Sequence, residues 1–114
     1  MKVTSSQHDD VIVLHVKGRI RGHEEAESLD DMLYATIGRG CNKAVVDLGN
    51  CDWINSAGIR TLIHHYNCFK RHYGELKLSN LTRKIEQIIA ITKLAQVFDI
   101  YDSKDEAVTS FTYS

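Results

Sequence analysis

One serine stands where this sequence could carry a regulated chemical step. Ser56 lies in Asn55-Ser56-Ala57-Gly58, after the run Ala44-Val45-Val46-Asp47-Leu48 and directly before an amphipathic helical pattern. β-Branched residues bounded by Gly and Asn read as a buried strand, here turning at Gly49-Asn50. Ser or Asn ahead of an apolar-periodic run reads as a helix N-cap. Ser56 then has two uses. As a cap it contributes about 1 kcal/mol, the commoner role of such a serine. As a phosphate acceptor it sits where unpaired helix N–H groups and the macrodipole tolerate an anion.

Two other groupings could do chemistry. His64, Cys68 and His72 recur every fourth residue with His65 adjacent, a helical face of zinc- or copper-ligand types. A tetrahedral site usually draws a ligand from another element, so the expectation is a polar helix face and no metal. A serine nucleophile would need a positioned base and an oxyanion site. Asp47 and His64 or His65 are the available helpers, but no GxSxG elbow and no Gly-rich phosphate cradle accompany them. We therefore expect no enzyme and no cofactor.

The elements that must position Ser56 follow from periodicity. Residues 2–6 read as a short strand, His8-Asp9-Asp10 as a turn, and Val11–Val16 as a strand pairing back as a hairpin. Gly18–His23 reads as a loop carrying Arg19 and Arg21. Residues 24–39 carry Ala26, Leu29, Met32, Leu33, Thr36 and Ile37 at helical spacing, with Gly38 and Gly40 as the stop. A second helix is expected from Ser56 to about Tyr73, its apolar stripe formed by Ile59, Leu62, Ile63, Tyr66, Phe69 and Tyr73, with Gly74 ending it. Strand Glu75–Leu78, a helix over 81–92, a short strand at Asp99–Tyr101 and a last helix capped by Ser103 complete the chain. Trp53 is expected to pack in the core. Strands alternating with helices indicate an α/β domain, with later strands parallel and right-handed crossovers. The end of the central strand is then where such sheets usually bind.

Composition narrows the setting. The chain has 114 residues, enough for one domain (1–114) with a real core. Charged residues are 25% and the net charge is −1, so nucleic acid and anionic membrane are not expected partners. Cys41, Cys51 and Cys68 form an odd set without a CxxC pair. With no leader-like or membrane-length apolar run, three reduced thiols in a cytoplasmic protein are expected.

With these residues in place, the chain resembles the STAS domain family of bacterial anti-sigma factor antagonists. The resemblance rests on Val45-Val46-Asp47-Leu48 followed by Asn50-Cys51-Asp52-Trp53-Ile54-Asn55-Ser56-Ala57-Gly58. It extends through Gly18, Glu75-Leu76-Lys77-Leu78 and Phe98-Asp99-Ile100-Tyr101, covering nearly the whole chain. The implied fold is a mixed four- to five-stranded sheet with about four helices, mainly on one side. The resemblance makes Ser56 the target of a serine kinase that doubles as anti-sigma factor, of the GHKL type. Phosphorylation would break the complex and a PP2C-type phosphatase would restore it; one multidomain response regulator could carry both activities. The implied partner-binding surface is Asn55, Ala57, Gly58, Arg60, Asp52 and Arg21, on a monomer or weak dimer. The output would be sigma-factor control or a biofilm or polysaccharide programme.

Three positions depart from the family pattern. Asn55 stands for the usual Asp, Ala57 for a second hydroxyl residue, and Lys93 for the Gly after the third helix. Lys93 removes the residue best suited to a left-handed cap, so that helix is expected to end differently. The alternatives are a non-switching scaffold subunit of a stressosome-like assembly, which a stable higher oligomer would favour, and a small hydrolase using Ser56.

Overall fold

The computed structural model describes residues 1–112. Five strands and four α-helices follow one another as β1 (Lys2–His8), β2 (Val11–Ile20), α1 (His23–Gly38), β3 (Lys43–Ile54), α2 (Ser56–Arg71), β4 (Glu75–Ser79), α3 (Arg83–Ile91), β5 (Ile100–Tyr101) and α4 (Lys104–Ser110). A short 3₁₀ turn, Leu94–Gln96, precedes β5. The strands form one sheet in sequence order, β1-β2-β3-β4-β5. β1 and β2 are antiparallel and the remaining pairs parallel, so the sheet is mixed as expected.

The order of the strands explains where the helices lie. Each parallel connection steps one strand in the same direction, and crossovers of one hand then fall on the same face. Alternate strand residues point to that face: Leu14 and Val16, Val46 and Leu48, Leu76 and Leu78. They pack against Leu29 and Leu33 of α1, Leu62 and Phe69 of α2, and Ile85 and Ile89 of α3. The intervening residues Val11, Val13 and Val45 face the other side, where α4 covers them with Ala107 and Phe111. Three helices on one face and one on the other give the sheet cover on both sides.

Some boundaries differ from those read in the sequence. β2 does not stop at Val16 but runs to Ile20, passing Gly18 at φ 110° with register shifts on either side of it. A Cβ at Gly18 would press the Met1 Cα at 3.0 Å, so glycine suits both the backbone angle and the space. β3 does not turn at Gly49-Asn50 either; it continues as a strand to Ile54. A side chain at Gly49 would overlap the Asn80 amide. Helix α2 ends at Arg71, and Tyr73, left-handed at φ 61°, is 97% exposed rather than part of the apolar stripe. Gly74 is needed for a different reason than ending the helix, because a Cβ there would overlap the Asn42 carbonyl that accepts the Glu75 N–H. Helix α3 keeps the left-handed close that Lys93 in place of Gly was expected to lose. Lys93 takes the left-handed conformation, φ 61° and ψ 21°, despite its Cβ.

Candidate functional site

Strand β3 delivers the chain to the start of α2 through a single residue. Ile20 pairs with Ile54 in the β2–β3 ladder, and the Asn55 N–H donates to the Ile20 carbonyl at 2.9 Å. Asn55 is extended, at φ −89° and ψ 179°, and its side-chain Oδ1 accepts the Gly58 N–H at 2.9 Å. Asn55 is therefore the N-cap, and Ser56 is the first helical residue. This corrects the reading of Ser56 as the cap. The Asn that replaces the family's Asp keeps the capping bond, since either side chain offers an acceptor oxygen there.

Ser56 is left with no structural task. It is exposed, and its hydroxyl has no hydrogen-bond partner among the described residues. No acidic residue stands in the first turn of α2, so no carboxylate of that turn opposes a phosphate there. Ala57 is half-buried and Arg60, one turn on, is exposed. Gly58 is buried and offers a partner no side-chain surface. A Cβ at Gly58 would come within 2.6 Å of Ile54 Cγ1 and 2.8 Å of Ile20 Cγ2, so glycine lets α2 dock on the ends of β2 and β3.

Two recesses flank this stretch. One, about 360 Å³, lies between α1 and α2 and is lined by His23, Asp30, Ala57, Arg60 and His64 among others. The second, about 350 Å³, is lined by Arg19, Arg21, Asp52, Trp53 and Lys84. The structure thus divides the expected surface between two recesses, with Ala57 and Arg60 lining one and Arg21 and Asp52 the other. Asp52 is held by Arg19 through two contacts, Nε to Oδ1 at 3.0 Å and Nη2 to Oδ2 at 3.3 Å. Trp53 is not a core residue as expected. It is 40% exposed, with the Lys84 ammonium 5.9 Å from the ring centroid.

The other reactive side chains are occupied. Asp47 is buried, and its carboxylate accepts from the Gly49 N–H at 2.9 Å and from Ser79 Oγ at 3.4 Å. It ties β3 to β4 and its oxygens are committed to that role. His65 is fully buried, with Nε2–H donating to the Asp30 carboxylate at 2.6 Å, and burial pushes its pKa below the usual histidine value. His64 meets the Tyr34 hydroxyl at 2.5 Å, and His72 Nδ1–H donates to the Cys68 carbonyl at 2.8 Å. Among the described residues, no three His, Cys, Asp or Glu side chains are grouped to hold a metal ion. No described helix is long and apolar enough to cross a membrane.

The sequence pattern of the STAS domain matches residues 2–107. The chain belongs to the STAS domain family. Two relatives of this STAS domain are named anti-sigma factor antagonists, one in Bordetella bronchiseptica and one in Paenibacillus polymyxa. BtrV of Bordetella bronchiseptica, a candidate anti-sigma factor antagonist by name, is 28% identical over 111 residues, covering 97% of this chain and 95% of its own. The crystal structure of a candidate anti-sigma factor antagonist from Thermotoga maritima superposes with a TM-score of 0.87 at 21% identity, over 95% of this chain and 92% of that one. SpoIIAA from Bacillus shares the fold in its phosphorylated form, with a TM-score of 0.76 at 12% identity over 96% and 99% of the two chains. Its unphosphorylated form gives 0.75 at 11% identity over 99% of each chain. The five-stranded mixed sheet with four helices is that fold.

Proposed function

We propose that this STAS domain is a phosphorylation-switched binding module of a partner-switching pathway, and that Ser56 is its phosphate acceptor. The observation that carries this reading is the division of labour at the start of α2. Asn55 caps the helix, which leaves the exposed Ser56 at the first helical position with its hydroxyl unbonded among the described residues. A kinase can reach it without unmaking any structure. The fold tolerates the product, because helix N-termini favour anions and no carboxylate stands nearby in the helix. SpoIIAA, which has this fold in both phosphorylated and unphosphorylated forms, supports a switch that leaves the fold intact.

The switch acts on binding rather than shape. Phosphorylation adds about −1.5 to −2 charges at pH 7. A partner packed over Ser56 would bury that charge, at a penalty of several kcal/mol when it lacks prepared donors. A micromolar complex holds only about 8 kcal/mol, so such a penalty dissociates it. The partner in this reading is a serine kinase that doubles as an anti-sigma factor, of the GHKL type, and a PP2C-type phosphatase reverses the step. The domain itself binds and does not catalyse. Its setting is the cytoplasm, and its output is a transcription or biofilm programme.

Phosphosite mapping by mass spectrometry on protein from its own cells, with the pathway on and off, is the direct test. Phosphate on Ser56 that phosphatase removes is the expected result. Its absence from Ser56 in both states, or phosphate only elsewhere, would overturn the assignment.

A further inference from the structure

The recess around Trp53 combines three features that folding alone does not require. Trp53, the one tryptophan of the chain, is 40% exposed on a strand. Lys84, in the first turn of α3, lies over its ring, with Arg83 beside it. Cations in a first turn oppose the helix dipole, and Glu86 is the one acidic residue of that turn set against the two of them. Arg19 and Arg21 complete the rim, and Asp52, the recess's only carboxylate, is spent on Arg19. Among the described residues neither Arg21 nor Lys84 has an ion-pair partner, so a chain of net charge −1 gathers two unpaired cations around one exposed aromatic. Residues that break local rules, as first-turn cations and an exposed strand tryptophan do, mark places where function sets the residue.

The recess is also built firmly. Thr82 caps α3 by accepting the Ile85 N–H at 3.4 Å, and its hydroxyl donates to the Cys51 carbonyl at 2.9 Å. That bond fixes the start of α3 to β3 two residues before Trp53. The Arg19–Asp52 clamp fixes the opposite rim. Trp and Arg in such a setting are the residue types that anchor protein contacts.

We infer that this recess docks an acidic segment of a protein partner, with an apolar side chain of that segment against Trp53 and its carboxylates on Arg21 and Lys84. The patch is small and the chain as a whole is negative, which suits a short acidic segment better than a long polyanion such as nucleic acid. The recess adjoins the proposed phosphosite. Arg21 follows Ile20 and Ser56 follows Asn55, and those two residues are joined by the 2.9 Å backbone bond. A phosphate on Ser56 would repel the segment's carboxylates and compete for Arg21. This last consequence rests on the phosphorylation reading; the docking surface does not.

Because Trp53 is the only tryptophan, its fluorescence reports occupancy directly. The probe is a short synthetic peptide alternating Glu with Leu, titrated into the unmodified chain. Controls are the same peptide with Gln for Glu, and oligothymidylate. We expect a saturable change in Trp53 emission with the acidic peptide only. It should weaken roughly ten-fold in an Arg21→Gln/Lys84→Gln double variant, two exposed pairs of modest strength. It should also weaken as salt rises from about 0.05 to about 0.5 M. Equal binding of the Gln peptide, no saturable change with the acidic peptide, or no loss in the folded double variant would overturn the inference, as would tighter binding of oligothymidylate. In Ser56→Glu, the acidic peptide should bind several-fold more weakly. Unchanged binding in that variant alone would leave the docking surface standing and count against the phosphate switch.

Discussion

Asn55 and Ser56 separate two tasks that one residue often combines. Both types cap helices well, so residue identity could not choose between them, and a boundary shifted by one position decided the matter. The separation predicts a contrast in stability. Asn55→Ala should cost about 1 kcal/mol, because the Gly58 N–H loses its acceptor. Asn55→Asp should be close to neutral, and Ser56→Ala should stay within about 0.5 kcal/mol, since that hydroxyl has no bond among the described residues. Urea denaturation of the three variants checks all of this; a Ser56→Ala loss as large as that of Asn55→Ala would return the cap to Ser56. Partner binding should sort the same position differently. Once the kinase partner is in hand, Ser56→Ala should bind like the unphosphorylated chain and Ser56→Glu several-fold more weakly by calorimetry. Equal affinities would count against the electrostatic switch. At Gly58 the prediction is steric: Gly58→Ala forces a methyl onto Ile54 and Ile20 and should cost about 1–3 kcal/mol, measurable in the same unfolding assay.

At the scale of elements, the pattern that was legible is the one carried by periodicity. The hairpin, the strand–helix alternation, the apolar stripe of α2 and the Ser103 cap, whose oxygen accepts the Glu106 N–H at 3.1 Å, stand where apolar spacing and capping residues put them. Boundaries failed where long-range packing overrode local signals. Gly18 and Gly49-Asn50 look like loop residues, yet both lie within strands because β2 and β3 pair through register shifts there. Past that irregularity the alternation of β3 breaks: Cys51 and Ile54 are buried while Asp52 and Trp53 between them are exposed. The face of Trp53 could not be read from a period that no longer holds. His65 was legible but missed, for it falls three residues after Leu62 and four before Phe69 on the buried stripe. The end of α3 yields a prediction of its own. Lys93 holds a left-handed angle that its Cβ disfavours by about 1 kcal/mol, and the residue is exposed. Lys93→Gly should therefore raise stability by up to about 1 kcal/mol, and a loss would mean that the lysine side chain has a role in its folded surroundings.

Over the whole molecule, the seam between α1 and α2 is the place where pH should act. These helices sit on the same face of the sheet, and α2 carries Ser56 at its start. Their contact includes His65, fully buried, and Asp30, with Tyr34 edge-on to the imidazole at 4.5 Å between centroids and His64 beside it at 5.0 Å. Nε2 of His65 is paired with Asp30, while Nδ1 is buried without a partner among the described residues. Two effects compete at this imidazole. Desolvation disfavours its charged form, whereas the Asp30 carboxylate favours it, and desolvation is the larger. A protonated His65 would also carry a buried Nδ1–H that has no hydrogen-bond partner among the described residues. The folded pKa therefore lies below 6.5, the value the unfolded chain keeps. Below that value the unfolded chain binds more protons than the folded one, so stability falls with pH. The contribution is intact above pH 6.5 and is lost as pH drops from there toward the folded value, at no more than about 1.4 kcal/mol per pH unit. Melting temperatures of the chain and of His65→Gln, followed from about pH 8 to about pH 5, isolate this one group from the other titrating residues. The chain should lose stability more steeply than the variant below pH 6.5, and Asp30→Asn, which removes the one favourable neighbour of the imidazolium, should steepen the loss. A chain that instead gained stability relative to His65→Gln on acidification would mean that the His65–Asp30 ion pair outweighs burial. The seam would then tighten in acid, and the surface that α2 presents around Ser56 would be held most firmly at low pH.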